Sequence, residues 1–327
     1  MTLIELIEQS AARLQAAGVA FGHGTANAFD EAAWLVLWRL GLPLDTTLDG
    51  PDSVANKPVD LVEQEGVATL LEARINTRKP AAYLTHEAWL QGVAFYVDER
   101  AIVPRSFIAE LLVDESIDPW LSQTTRKVLD LCTGNGSLAV IAAMAYPDVE
   151  ITASDLSADA LAVAKINVEK HQLGQRITLL EADGFQSTAL RVRGPFDLIL
   201  CNPPYVNAPS MASLPPEYHA EPALALDGNL LGGRDGMDFI RDLLHDAPAH
   251  MSSNAVLVLE IGNERDHFEA AFARLEVVWL ETSAGDDQVL LVTREALDHW
   301  QAGEAGARSP EVVSIVAVKV VGEVLRQ

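Results

Sequence analysis

The residues Asn202-Pro203-Pro204-Tyr205 place several kinds of chemistry side by side. An asparagine carboxamide presents one acceptor and one pair of donors in a plane. That matches a planar –NH2 group, such as a side-chain amide or the amino group of a base. Tyr205 adds a flat face to pack against the same group. Asn202 and Tyr205 are therefore candidate catalytic residues, and Pro203 and Pro204 between them join the substrate set.

A second group gathers around Thr133-Gly134-Asn135-Gly136. Glycines let the backbone approach a ligand closely. The loop lacks the lysine of a phosphate-binding P-loop and departs from G-x-G-x-x-G, which disfavours a dinucleotide. Asp155 follows about twenty residues later, where an acid takes the hydroxyls of a ribose. Ser157 is the better helix cap, so Asp155 is left for a ligand. Asp183 is placed to accept from an adenine amino group. Asp130 puts a carboxylate near the loop, costly if buried alone, and Cys132 ends the strand before it. Asp130, Cys132, Thr133, Gly134, Asn135, Gly136, Asp155, Asp183 and Asn202 thus form the candidate cofactor set. A nucleoside carrying positive charge suits them, and S-adenosylmethionine is such a molecule.

These residues need strand ends to hold them. Phe196 to Cys201 reads as a buried strand, and the two prolines after it end the pairing at once. Val128 to Cys132, Val149 to Ala153, Ile177 to Leu180 and Val256 to Ile261 read as further strands, with helices over Leu138 to Tyr146 and Ala158 to His171. Such alternation implies a parallel sheet with helices on both faces. Val277 to Leu280 and Val289 to Val292 read as an antiparallel pair. Upstream, helical spacing recurs at Leu3 to Leu14, from Asp30, and over Val59 to Asn76, with Trp34 and Trp38 as core. Trp89 to Val97 reads as a hairpin around Gly92, and Phe107 to Glu115 as a helix.

The 327 residues carry 49% hydrophobic side chains, enough for two domains with real cores. The domains expected are 1–80 (helical, substrate-recognising), 81–104 (a hairpin linker), 105–300 (the catalytic domain) and 301–327 (an extension of unassigned role). That extension reads as a polar linker from Gly303 to Pro310, then a valine-rich segment from Val312 to Leu325. No stretch has the length of a membrane span and the N-terminus is not a leader pattern, so a cytoplasmic protein is expected. Cys132 and Cys201 read as reduced thiols, neighbours if their strands are adjacent. No Cys/His spacing suits a metal. The formal charge is −24, with 23 basic against 47 acidic residues. Such a surface repels nucleic acid and favours basic partners, or serves solubility alone.

Taken in order, the glycine loop, Asp155, Asp183 and Asn202 resemble the class I, Rossmann-like, S-adenosylmethionine-dependent methyltransferases. The Asn-Pro-Pro-Tyr stretch is similar to that of enzymes acting on exocyclic or amide nitrogen. The N-terminal helices and hairpin resemble the HemK family of glutamine methyltransferases. The likeness is carried by Asn27 to Ala32, Ala82 to Trp89, Phe95 to Arg100, Val103 to Ser106, Leu214 to Pro222 and Leu259 to Asn263. It spans roughly residues 1–300. It implies a seven-stranded, mostly parallel sheet, with the helical domain joined by the hairpin. It also implies methyl transfer to a protein glutamine, with the Asn202 oxygen and the Pro203 carbonyl accepting the amide hydrogens. Arg105 and Glu221 join the substrate set, each alternatively a structural ion pair.

The stretch Val103 to Glu110 differs from the Pro-Arg-Pro-Glu-Thr-Glu of the release-factor branch. It is similar instead to the branch acting on large-subunit ribosomal protein L-three, a basic partner. The segment Asp227 to Gly236 is longer than that branch implies, and the tail lies outside the resemblance. Modification of a release factor, adenine-N6 methylation of nucleic acid and a non-catalytic scaffold remain as alternatives.

Overall fold

Capping boxes start two of the N-terminal helices. Thr2 accepts from the Glu5 amide while Glu5 reaches back to the Thr2 amide, and Asp60 pairs with Glu63 in the same way. These open α1 (Leu3–Ala16) and α3 (Leu61–Thr77). Asn27 caps α2 (Ala28–Arg39) through the amides of Phe29 and Asp30. A short α4 (Ala81–Thr85) follows. The structure, a computed structural model, describes residues 1–50 and 52–307. Ile7, Leu14, Leu35, Val36, Val67 and Leu71 close a core among the first three helices, with Trp34 packed at its edge.

Next comes an antiparallel pair, β1 (Ala88–Leu90) and β2 (Val93–Phe95). Gln91 and Gly92 between them both have positive φ, 49° and 74°. A two-residue hairpin turn with that backbone matches the strand twist. Helix α5 (Ile108–Val113) then leads to the main sheet.

That sheet has seven strands: β3 (Lys127–Leu131), β4 (Glu150–Asp155), β5 (Ile177–Glu181), β6 (Phe196–Cys201), β7 (Met251–Glu260), β8 (Val278–Thr282) and β9 (Gly285–Thr293). Their order is β5-β4-β3-β6-β7-β9-β8. Strands β3 to β7 pair in parallel, and β9 is antiparallel to both its neighbours. The connecting helices are α6 (Ser137–Ala145), α7 (Ala158–Lys170), α8 (Thr188–Arg193), α9 (Ala208–Ser213), α10 (Asp238–Asp246), α11 (Arg265–Ala271) and α12 (Arg294–Ala307).

Alternate residues of the central strands enter two different cores. Val128, Leu198, Leu200, Val256 and Val258 pack with Leu111 and Ile141 on one face. Leu129, Ile199, Leu257 and Leu259 pack with Ile240, Leu244 and Leu297 on the other. Burial on both faces explains why these strands read as unbroken apolar runs.

The chain builds β3, β4 and β5 outward in one direction, then returns to lay β6 on the other side of β3. The crevice outside the carboxyl ends of β3 and β6 is the switch point where such sheets bind ligands. Cys132 and Asn202 stand there, each just past its strand.

One expectation is corrected at the C-terminus. Gly303 to Ala307, read as linker, continues α12; alanines favour that helix more than its glycines oppose it. The rest of the expected linker and the valine-rich Val312 to Leu325 lie outside the described residues. No helix among the described residues is long and apolar enough to cross a membrane.

Candidate active site

The loop after β3 turns by left-handed backbone at Cys132, Gly134 and Gly136, with φ of 61°, 56° and 79°. At Gly136 a Cβ would stand 3.0 Å from that of Ala164, so glycine lets α6 begin against α7. At Gly134 a Cβ would meet nothing within 4 Å, which leaves room beside the backbone. The Asn135 side chain bonds to backbone on either side of it. It donates to the Ile102 carbonyl at 2.7 Å and accepts from the Ser137 amide at 2.9 Å.

Asp130 is buried beneath the loop. It accepts from the Thr133 hydroxyl and from the Ala139 amide, while its Oδ1 has no partner among the described residues. Burial pushes its pKa up to about 7, against the pull of those two donors. Across the switch point the Cys132 and Cys201 thiols meet, both free.

A cavity of about 140 Å³ opens at the switch point. It brings together six of the expected residues: Cys132, Gly134, Asp155, Asp183, Asn202 and Pro204. Ile102, Leu156 and Phe239 supply apolar wall that the motifs did not announce. Asp155 accepts from the Gly134 and Ser157 amides, both at 2.8 Å. Ser157 caps α7 through the Ala160 amide, as its position implied. Burial raises the Asp155 pKa, and those amides oppose the rise. The Asp183 carboxylate is exposed at the cavity, and neither it nor the Asn202 carboxamide forms a side-chain hydrogen bond among the described residues. Both keep their full capacity for a ligand.

The remaining expected residues stand behind this wall. Asp130, Thr133, Asn135 and Gly136 shape the loop without lining the cavity. Pro203 is buried under it. Tyr205 lies over Gly262, where a Cβ would come within 2.6 Å of the ring. Its phenol is pushed up by burial and by the neighbouring Glu260.

Glu260, at the end of β7, was not among the expected site residues. It accepts from the Ser106 hydroxyl at 2.5 Å and the Phe107 amide at 2.9 Å. Burial raises its pKa to about 7 in spite of these donors. Arg105 and Glu221 form a two-pronged ion pair at 2.6 and 2.8 Å. Glu221 also accepts from the Val103 amide at 2.9 Å. Burial would raise its pKa, but Arg105 and His23 hold it down to about 2. Neither residue lines the cavity. Their pairing is the structural ion pair that stood as the alternative for both residues, and it engages both Glu221 oxygens.

The sheet order, the glycine loop and an Asn-Pro-Pro-Tyr turn at the switch point together define a class I methyltransferase. Residues 109–216 match the family model "Methyltransferase small domain". The chain is 50% identical over 299 residues to the ribosomal protein uL3 glutamine methyltransferase of Bordetella pertussis, covering 91% of this chain and 96% of that one. The protein of the same name from Burkholderia pseudomallei is 49% identical over 297 residues, covering 89% and 94%. That from Neisseria meningitidis serogroup A is 47% identical over 298 residues, covering 90% and 94%. The chain belongs to the ribosomal protein uL3 glutamine methyltransferase family.

Proposed function

We propose that this chain transfers a methyl group from S-adenosylmethionine to the side-chain amide nitrogen of a glutamine in ribosomal protein uL3. One observation supports the reading: the Asn202 carboxamide stands at the cavity wall with no hydrogen bond among the described residues. S-adenosylmethionine, when bound, supplies an electrophilic methyl group on a sulfonium. The cavity suits it, with acids at Asp155 and Asp183 for ribose hydroxyls and an adenine amino group, and Leu156 and Phe239 for a flat base.

An amide nitrogen is a poor nucleophile because its lone pair is delocalised into the carbonyl. The Asn202 oxygen and the Pro203 carbonyl accept its two hydrogens and fix the direction of that lone pair. Tyr205, held by Gly262 and Glu260, is assigned to pack against the amide plane. Positioning then supplies most of the rate gain. No strong base is needed, since the nitrogen becomes acidic once methylated.

The −24 charge suits a basic substrate met in the cytoplasm and opposes binding to nucleic acid. That charge and the uL3 relatives set aside adenine-N6 and release-factor methylation. The test is peptide mass mapping of uL3 treated with the protein and S-adenosylmethionine. One added methyl on a glutamine is expected. Modification confined to nucleic acid, or none, overturns the proposal.

A further inference from the structure

The stretch Leu214 to Pro222 follows the Asn-Pro-Pro-Tyr turn, yet its side chains reach into the N-terminal helices. Glu217 is fully buried there. Its Oε1 accepts from the Ala20 amide at 3.0 Å, from Arg78 at 3.0 Å and from Arg74 at 3.4 Å. Arg74 is buried as well, with Glu31 at 2.8 Å on its other side. Arg78 meanwhile satisfies the carbonyls of Ala17 and Gly18 just past α1. Thus one carboxylate joins the ends of α1 and α3 to this arm.

The neighbouring residues follow the same course. Tyr218 packs on His23 with ring centroids 4.3 Å apart, and Ala220 packs in the cluster that includes Trp34. At the far end Glu221 grips Arg105 and the Val103 amide, and Pro222 lines the cavity. Past Pro222 the Ala225 amide donates back to the Pro222 carbonyl, and the Leu226 carbonyl accepts at 2.9 Å from the amide of Val206, the residue after Tyr205. A continuous path of contacts therefore runs from α1 and α3 to the catalytic turn.

A buried ion pair is a poor source of stability, because desolvation offsets its attraction; fixing one geometry is its better-attested use. The Glu217 cluster even leaves Oε2 buried without a partner among the described residues, a cost that a purely stabilising contact would avoid. We infer that Glu217 is a positioning residue through which the N-terminal helices set the cavity wall and the catalytic turn. The inference rests on the proposed glutamine methylation for its activity readout.

The test compares the full chain with its Glu217→Gln and Arg78→Ala variants, well below their melting temperatures. An ångström of misplacement can cost about 100-fold in rate, so each variant is expected to lose at least about tenfold in kcat. Amide exchange at Tyr218 and Glu221, bonded to the Pro215 and Tyr218 carbonyls, should accelerate in both. The double variant should resemble the worse single one, because both act through one contact. Variants that stay folded with kcat within about twofold of wild type overturn the inference. Should Glu217→Gln fail to fold, Arg78→Ala decides. If wild type itself transfers no methyl, the functional proposal fails; unchanged exchange in this arm would then sink the coupling separately.

Discussion

Replacing Asn202 by alanine separates function from stability more cleanly than any other change at this site. The carboxamide forms no hydrogen bond among the described residues, and the residue is only half-buried at the cavity. Its truncation leaves no buried partner stranded, so the folding cost should stay below about 1 kcal/mol. In a chain of this size that shifts Tm by no more than about 2–4 °C. The rate should respond very differently. Losing one pre-organised site group typically costs about 100- to 1,000-fold in turnover, about 2.7–4 kcal/mol. Methyl transfer to uL3 is followed by mass spectrometry at saturating S-adenosylmethionine, alongside thermal melting by circular dichroism. Cofactor affinity, measured by calorimetry, should change by less than about tenfold, since Asp155 and Asp183 remain. Turnover within about threefold of wild type would refute the proposed role. A Tm loss beyond about 8 °C would show that the side chain supports the fold instead.

Asp183→Ala should weaken S-adenosylmethionine binding by roughly tenfold and leave Tm unchanged, whereas Asp155→Ala should lower both; Asp155 alone holds the Gly134 and Ser157 amides, and equal melting of the two variants would contradict this. Gly262→Ala sets a Cβ 2.6 Å from the Tyr205 ring at a φ of 53°, so about 1–3 kcal/mol of stability and much of the turnover should be lost together; full activity would mean that the ring can move at no cost. His250 is buried, stacked on Phe185 at 4.4 Å, and burial lowers its pKa. Below about pH 6.5 the unfolded chain takes a proton that the folded one refuses, so this contribution to stability is present above that pH and lost as pH falls. Denaturant unfolding at pH 7.5 and 5.5 should show His250→Phe gaining on wild type at the lower pH, and a constant difference would exclude the effect.

Features encoded within a few residues of chain were legible in the sequence. The strand before Asn202, the glycine loop after Leu131 and the cap at Ser157 each depend on neighbours in the chain, and all three stand where expected. The parallel sheet followed from the alternating elements, and its seven strands from the resemblance; their order did not. The partners of Asn135, Glu221, Glu260 and Glu217 were hidden, because each is met only after folding. Asn135 finds the Ile102 carbonyl 33 residues away, and Glu221 finds Arg105 at a separation of 116. Ser106 lies 154 residues from Glu260, and Arg74 lies 143 from Glu217. A motif shows that such residues recur together but gives no sign of which polar atoms are already committed.

Commitment of polar atoms is what sorts the candidates here. Asp155 engages both oxygens with backbone amides yet still borders the cavity, so it can both shape the loop and meet a ligand. Asn135, Arg105 and Glu221 are engaged inside the protein, and a ligand would have to compete with those bonds. Among the described residues, Asn202 and Asp183 have no such side-chain bonds to break. A folded protein rarely leaves a polar group idle where water is scarce. At the half-buried wall of an apolar cavity, an idle carboxamide is most simply explained by a partner that arrives from solution. The target amide is such a partner, with two hydrogens to give and the Asn202 oxygen and Pro203 carbonyl to receive them.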